Sequence, residues 1–186
     1  MKKHNMTLKN LSINKSWSLF LDRDGVINKR LENDYVKTLD EFEFIEGVPE
    51  ALKLLPELFG KIIVVTNQQG IGKGLYSEND LDIIHHYMAD EIEKHEGRID
   101  KVYFSPHLAA DKHDWRKPGI GMALQAKEDF PEIDFTKSVI VGDSLSDMQF
   151  GRNAGMKTVY INSTKIKDEK IDFCFTSLQE FAKAIS

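Results

Sequence analysis

At 186 residues with a formal net charge of −5, the chain is long enough for one domain with a substantial core. It carries no surplus of positive charge to draw it to nucleic acid or an anionic membrane. Its one cysteine, Cys174, excludes an internal disulfide and a multi-cysteine zinc site. No run approaches the roughly 18 apolar residues of a membrane span. Residues 1–15 are polar and mildly basic without the apolar segment of a secretory signal, so a cytoplasmic location is expected.

In chain order, residues 1–16 read as a loose lead-in and 17–186 as a single domain. Strand one is predicted over 17–22, where the apolar run Leu19 to Leu21 breaks into Asp22-Arg23-Asp24-Gly25. Residues 25–46 lack a clean period. Tyr35-Val36 and Phe42-Glu43-Phe44 suggest a short extended flap there. A helix follows over 47–59, with Val48, Ala51, Leu52, Leu55 and Leu58 on one face and Pro56 expected to bend or shorten it. Residues 61–65 are a second buried strand, ending in Thr66-Asn67-Gln68-Gln69-Gly70.

The longest helix is predicted over 77–96, with Ser77 as N-cap and Asp80 completing a capping-box-like pair. A third strand covers 101–104, a loop rich in His, Asp and Pro covers 105–118, and a helix covers 119–129. The fourth strand, 138–141, stops at Gly142-Asp143. A helix follows over 144–153, with Gly155 placed to end it. A strand over 157–161, another over 171–175 and a helix over 177–185 complete the chain. Strands alternating with helices at this spacing give an α/β, doubly wound, Rossmann-like parallel sheet with helices on both faces.

Three apolar runs end in polar residues, at Asp22, Thr66 and Asp143. In a parallel sheet these ends share one edge, so Asp22, Asp24, Thr66, Asn67 and Asp143 are candidates for one cleft. A strand running into an acidic turn needs no ion. Carboxylates this close in sequence nevertheless repel one another unless a proton or cation lies between them, and a hard divalent cation such as magnesium suits oxygen ligands and brings phosphate with it. Arg116-Lys117-Pro118 supplies positive charge to face such a phosphate, although paired basic residues are more commonly solvated.

These segments resemble the four motifs of the haloacid dehalogenase (HAD) superfamily of phosphatases: Asp22-Arg23-Asp24-Gly25-Val26, then Thr66-Asn67, then Lys117, then Gly142-Asp143 with Asp147. Within it the chain is similar to the histidinol-phosphate and heptose-bisphosphate phosphatase branch. That likeness is carried by Phe-Leu-Asp-Arg-Asp-Gly with Ile27-Asn28, Tyr35-Val36, residues 42–48, Val65-Thr66-Asn67-Gln68 with Gly70-Ile71, and Arg116-Lys117-Pro118. The resemblance implies a HAD-type sheet with a short flap and no large cap domain. It implies Asp22 as nucleophile and Asp24 as general acid and base. Magnesium would be held by the Asp22 carboxylate, the Asp24 main-chain carbonyl and Asp143. Thr66, Asn67 and Lys117 would hold the phosphoryl group, with Tyr35, Gln68, Gln69 and Arg116 as further substrate-binding residues.

Two departures stand out. Ser144 occupies a position where heptose-bisphosphate phosphatases often carry lysine. Members of the branch commonly bind a structural zinc through three cysteines and a histidine in the loop before Arg-Lys-Pro. Here Ser105, His113 and Trp115 stand at the cysteine positions and only His107 keeps its identity, so no structural zinc is expected and Trp115 packing should hold the loop. Asp147 has two readings, a capping box with Ser144 or a residue behind the metal. Gly70-Ile71-Gly72-Lys73-Gly74 lacks phosphate-loop spacing and reads as a flexible turn. His85, His86 and His95 are assigned to a solvated helix face, and Cys174 to the core.

The function this implies is a magnesium-dependent phosphomonoesterase acting through an aspartyl-phosphate on a small sugar phosphate, first of all heptose 1,7-bisphosphate. Histidinol phosphate is the alternative. A polynucleotide 3′-phosphatase and a non-catalytic phosphate binder are less favoured. The expected partner is a small phosphate ester, with no nucleic acid or membrane, and the expected state is a monomer.

Overall fold

The sheet explains itself from its six apolar runs: β1 (Ser18–Leu21), β2 (Lys61–Asn67), β3 (Lys101–Ser105), β4 (Ser138–Gly142), β5 (Lys157–Ile161) and β6 (Phe173–Phe175). In the computed structural model, which describes residues 11–164 and 166–186, they form one parallel sheet in the order β3-β2-β1-β4-β5-β6. Successive side chains on a strand point to opposite faces, so a sheet covered on both sides needs apolar residues at every position. On β1, Leu19 and Leu21 enter one core while Phe20 enters the other; Ile62 and Val64 split likewise from Ile63 and Val65, and Val139 and Val141 from Ile140.

The helices are α1 (Val48–Leu58), α2 (Gln69–Gly72), α3 (Glu78–Lys94), α4 (Gly121–Asp129), α5 (Leu145–Ala154) and α6 (Leu178–Ile185). α1, α3 and α6 cover the first face through Leu52, Leu55, Ile84, Met88 and Phe181. α4 and α5 cover the second through Met122, Ala126 and Phe150. Full burial of each such side chain stabilises the fold by about 1.5–3 kcal/mol. No helix among the described residues is long and apolar enough to cross a membrane.

The topology places the site. The chain winds outward from β1 through β2 to β3, then returns to the other side of β1 for β4. Leu21 is therefore flanked by Val64 on one side and Val141 on the other. Ligands bind outside the carboxyl ends of the strands where the winding reverses, and here those ends carry Asp22, Thr66 and Asp143.

Several expectations are met closely, including the Ser77–Asp80 and Ser144–Asp147 capping boxes and Gly155 in left-handed conformation (φ 85°) at the end of α5. Others are corrected. Main-chain hydrogen bonds from Val26, Ile27 and Asn28 to the Arg23 carbonyl fold the chain back after β1. The flap is thus a loop, pinned by a single antiparallel bridge between Asn28 and Phe44. α1 carries Pro56 buried within it and ends two residues later, at Leu58, one residue short of the expected end. The segment expected as a flexible turn at 70–74 begins within the one-turn helix α2. β6 starts at Phe173, and Cys174 on this edge strand is only partly buried. Residues 1–10 of the predicted lead-in lie outside the described residues, while Leu11 and Ile13 pack against the first core.

Candidate functional site

β1 delivers Asp22 immediately past its last residue, with the Asp22 amide bonded to Val141 O on β4 at 2.9 Å. One carboxylate oxygen accepts the Arg23 amide at 2.8 Å and lies 2.9 Å from Lys117 Nζ. The same ammonium lies 2.5 Å from Asp147 Oδ1, so Lys117 sits buried between two buried acids. Its main chain is clamped by Asn67 at the end of β2, whose amide bonds both Lys117 O (3.1 Å) and Lys117 N (3.0 Å). The cis peptide to Pro118 follows directly.

Burial and the neighbouring charge of Asp147 push the Asp22 carboxyl up to about 7, against the opposing pull of Lys117. Burial likewise pushes Asp143 up to about 6, opposed by Arg30, which reaches its Oδ2 at 2.9 Å. Burial works against the charge on Lys117, but Asp147 and Asp22 outweigh it and hold the ammonium above its usual range. Three carboxylates, from Asp22, Asp143 and Asp147, offer oxygens within 4.8 Å of one another around this single lysine. Asp143 Oδ1 is buried with no hydrogen-bond partner. An all-oxygen set with excess negative charge and an unpartnered buried oxygen fits a hard divalent cation. Asp147 closes the expected capping box with Ser144 through Oδ2, while its Oδ1 faces Lys117.

Asp24 is not among these three acids but lines the same cleft. Arg23 Nη2 donates to both of its carboxylate oxygens (2.8 and 3.0 Å), Asn28 Nδ2 donates to Oδ1 (2.9 Å) and Gln68 Nε2 to Oδ2 (2.8 Å). Burial alone would raise its pKa, but the Arg23 charge and these hydrogen bonds hold it below the usual range. Gln68 also donates to Thr66 Oγ1 at 2.9 Å and accepts from Tyr76 at 2.5 Å. Gln68, expected among the substrate-binding residues, is thus turned behind the cleft as a support for Asp24, and the Asn67 amide is spent on the Lys117 main chain.

The cleft has a volume of about 160 Å³ and is lined by Asp22, Asp24, Arg30, Tyr35, Arg116 and Lys117, among others. Tyr35 is fastened over it by bonds to Gln69 Nε2 and Lys73 Nζ, both 2.9 Å from its hydroxyl. Arg116 donates to the His107 carbonyl at 3.2 Å. A second hollow of about 420 Å³ opens beyond Arg116 and Lys117, bordered by Lys112, His113 and Ser146. In the loop over 105–118, Trp115 Nε1 bonds Phe104 O at 2.7 Å, and the His107 and His113 rings stack with centroids 3.6 Å apart.

Three contributors were not singled out from sequence. Arg23 is completely buried, Arg30 holds a cleft carboxylate, and Tyr76 fixes Gln68. The reading of His85 is corrected: it is buried, with Nε2 3.2 Å from Arg23 Nη1, whereas His86 is exposed. A signal existed, because His85 falls on the stripe Leu81, Ile84, Met88, Ile92 that α3 buries.

A family model described as polynucleotide kinase 3 phosphatase matches residues 19–186. A D-glycero-alpha-D-manno-heptose-1,7-bisphosphate 7-phosphatase of Campylobacter jejuni is 39% identical over 166 residues, covering 89% of this chain and 94% of that protein. The D-glycero-beta-D-manno-heptose-1,7-bisphosphate 7-phosphatase of Escherichia coli K12 is 34% identical, covering 90% of this chain and 93% of its own. Among solved structures, a D,D-heptose 1,7-bisphosphate phosphatase from B. bronchiseptica, complexed with magnesium and phosphate, superposes with a TM-score of 0.81 at 27% identity, over 90% of this chain and 96% of that one.

Proposed function

Since the chain belongs to the heptose-bisphosphate phosphatase family of the HAD superfamily, we propose that it hydrolyses the 7-phosphate of D-glycero-D-manno-heptose 1,7-bisphosphate. The observation that carries this reading is the position of Asp22, aimed into a cleft between a buried lysine and two further aspartates. In this reading the Asp22 carboxylate attacks phosphorus as the bond to the sugar oxygen breaks, giving an aspartyl-phosphate. Asp24 protonates the departing alkoxide. Its carboxylate then takes a proton from water as the water oxygen attacks phosphorus, releasing phosphate and restoring Asp22.

Asp24 rests ionised, and the negative charge of an arriving phosphate beside Asp22 favours the protonated form it needs first. Lys117 neutralises phosphoryl oxygens, and Asn67 keeps it in place. Asp22 and Asp143, with the Asp24 main-chain carbonyl, would hold magnesium. The ion would neutralise the charge that two acids and a phosphate dianion bring together. The catalytic cleft is small, so the remainder of the sugar extends past Arg116 toward the neighbouring hollow and its basic border. Tyr35 closes the opposite side.

The test is hydrolysis of p-nitrophenyl phosphate with and without magnesium. It is followed by kcat/KM for both anomers of the heptose bisphosphate, histidinol phosphate and a 3′-phosphorylated oligonucleotide. Magnesium-dependent turnover with the heptose compound preferred is expected. No turnover by folded protein would overturn the reading, and a preference for another substrate would overturn its specificity.

A further inference from the structure

A buried guanidinium needs its charge and donors answered. The Arg23 side chain meets Asp24 through Nη2 and His85 through Nη1, while Nε has no hydrogen-bond partner. Losing the His85 contact would leave the guanidinium held through Nη2 on Asp24 alone, with nothing to fix its other end. His85 comes from α3, an element that otherwise supplies only apolar residues to this side of the sheet. Its ring is packed beside Phe104, with centroids 6.3 Å apart. Burial and the adjacent Arg23 charge hold its pKa down to about 3, so the ring is neutral. Its Nε2 therefore accepts from Arg23, and the proton lies on Nδ1.

We propose that His85 is a positioning residue for the general acid and base: by accepting from Arg23 it fixes the guanidinium that holds the Asp24 carboxylate at the angle proton transfer requires. The proposal rests on the reading of Asp24 as that acid and base. Three supports converge on Asp24, from Arg23, Asn28 and Gln68, and Gln68 is itself locked by Tyr76. Of these, the Arg23 arm is the one whose far end terminates in an α3 side chain.

The experiment compares kcat/KM for an alkyl phosphate, whose leaving oxygen needs a proton, with that for p-nitrophenyl phosphate, whose leaving group departs without one. Both values report only steps up to enzyme phosphorylation. General acid catalysis is worth about 10²–10⁴-fold, so D24N should lose alkyl phosphate activity by that order and aryl phosphate activity far less. H85A should show the same selectivity at about tenfold or more. H85Q, whose amide oxygen can accept from Arg23, should recover most of it. An equal loss on both substrates in H85A, or no loss on either, overturns the proposal. If D24N itself shows no leaving-group dependence, the reading of Asp24 fails and the proposal falls with it. If D24N shows the dependence and H85A does not, the proposal alone fails.

Discussion

Replacing Lys117 by methionine keeps the length of the side chain and removes its charge. In the structure this charge lies 2.9 Å from Asp22 and 2.5 Å from Asp147, with only 1% of the lysine side chain exposed. Water cannot substitute for it there. Removing one partner from a buried ionic group costs about 3–5 kcal/mol, because the remaining charges stay buried and unanswered. In a domain of this size each kcal/mol lowers Tm by about 2–4 °C, so K117M should melt about 6–20 °C below wild type in EDTA at about pH 8. The acids can limit the loss by taking up protons, so the gap should narrow at about pH 5.5. Saturating magnesium should also narrow it, since a divalent cation among the same carboxylates replaces the missing charge. The assay is thermal unfolding followed by circular dichroism in the four combinations of pH and metal. If K117M in EDTA at about pH 8 melts within about 2 °C of wild type, the lysine does not hold the acids together.

Asp22 and Asp143 carry pKa values raised to about 7 and about 6. In the folded metal-free protein these two groups therefore hold protons that the unfolded chain has released, and their contribution to stability falls as pH rises from about 4 to about 7. D22N should flatten that dependence; an unchanged slope in D22N contradicts the assignment. Gly25 has φ +88°, and a Cβ there would stand 2.0 Å from Asp143 Oδ2. G25A should therefore cost about 1–3 kcal/mol in strain and displace Asp143, weakening magnesium binding in calorimetry, and unaltered binding would refute it. W115F removes one hydrogen bond to Phe104 O at the root of the 105–118 loop. Its expected cost is about 1 kcal/mol, with faster amide exchange confined to that loop.

The strand ends were legible because a buried parallel strand is an uninterrupted apolar run, and the point where it stops is visible in the chain. The sequence alone thus puts Asp22, Thr66 and Asp143 on one edge. Capping was legible at Ser77 and Ser144 because it depends on residues three apart. Arg23 was not, since nothing local distinguishes a buried arginine from a solvated one; its burial is decided by Asp24 beside it and His85 sixty-two positions away. The loop after β1 was read as extended because Phe42-Glu43-Phe44 alternates like a strand, while the actual turn is set by main-chain bonds to the Arg23 carbonyl. Asn67 and Gln68 were placed correctly at the strand end, yet the direction of each amide depends on the Lys117 loop and on Tyr76, which sequence order keeps apart.

The most direct test of the account is to quench the protein in acid during turnover of p-nitrophenyl phosphate with magnesium, digest it and weigh the peptides. The account predicts the mass of one phosphoryl group on the peptide containing Asp22, acid-stable and lost on treatment with hydroxylamine, with neither adduct nor turnover in D22N. Steady turnover by D22N, or a phosphoryl group trapped on a different residue, would contradict it.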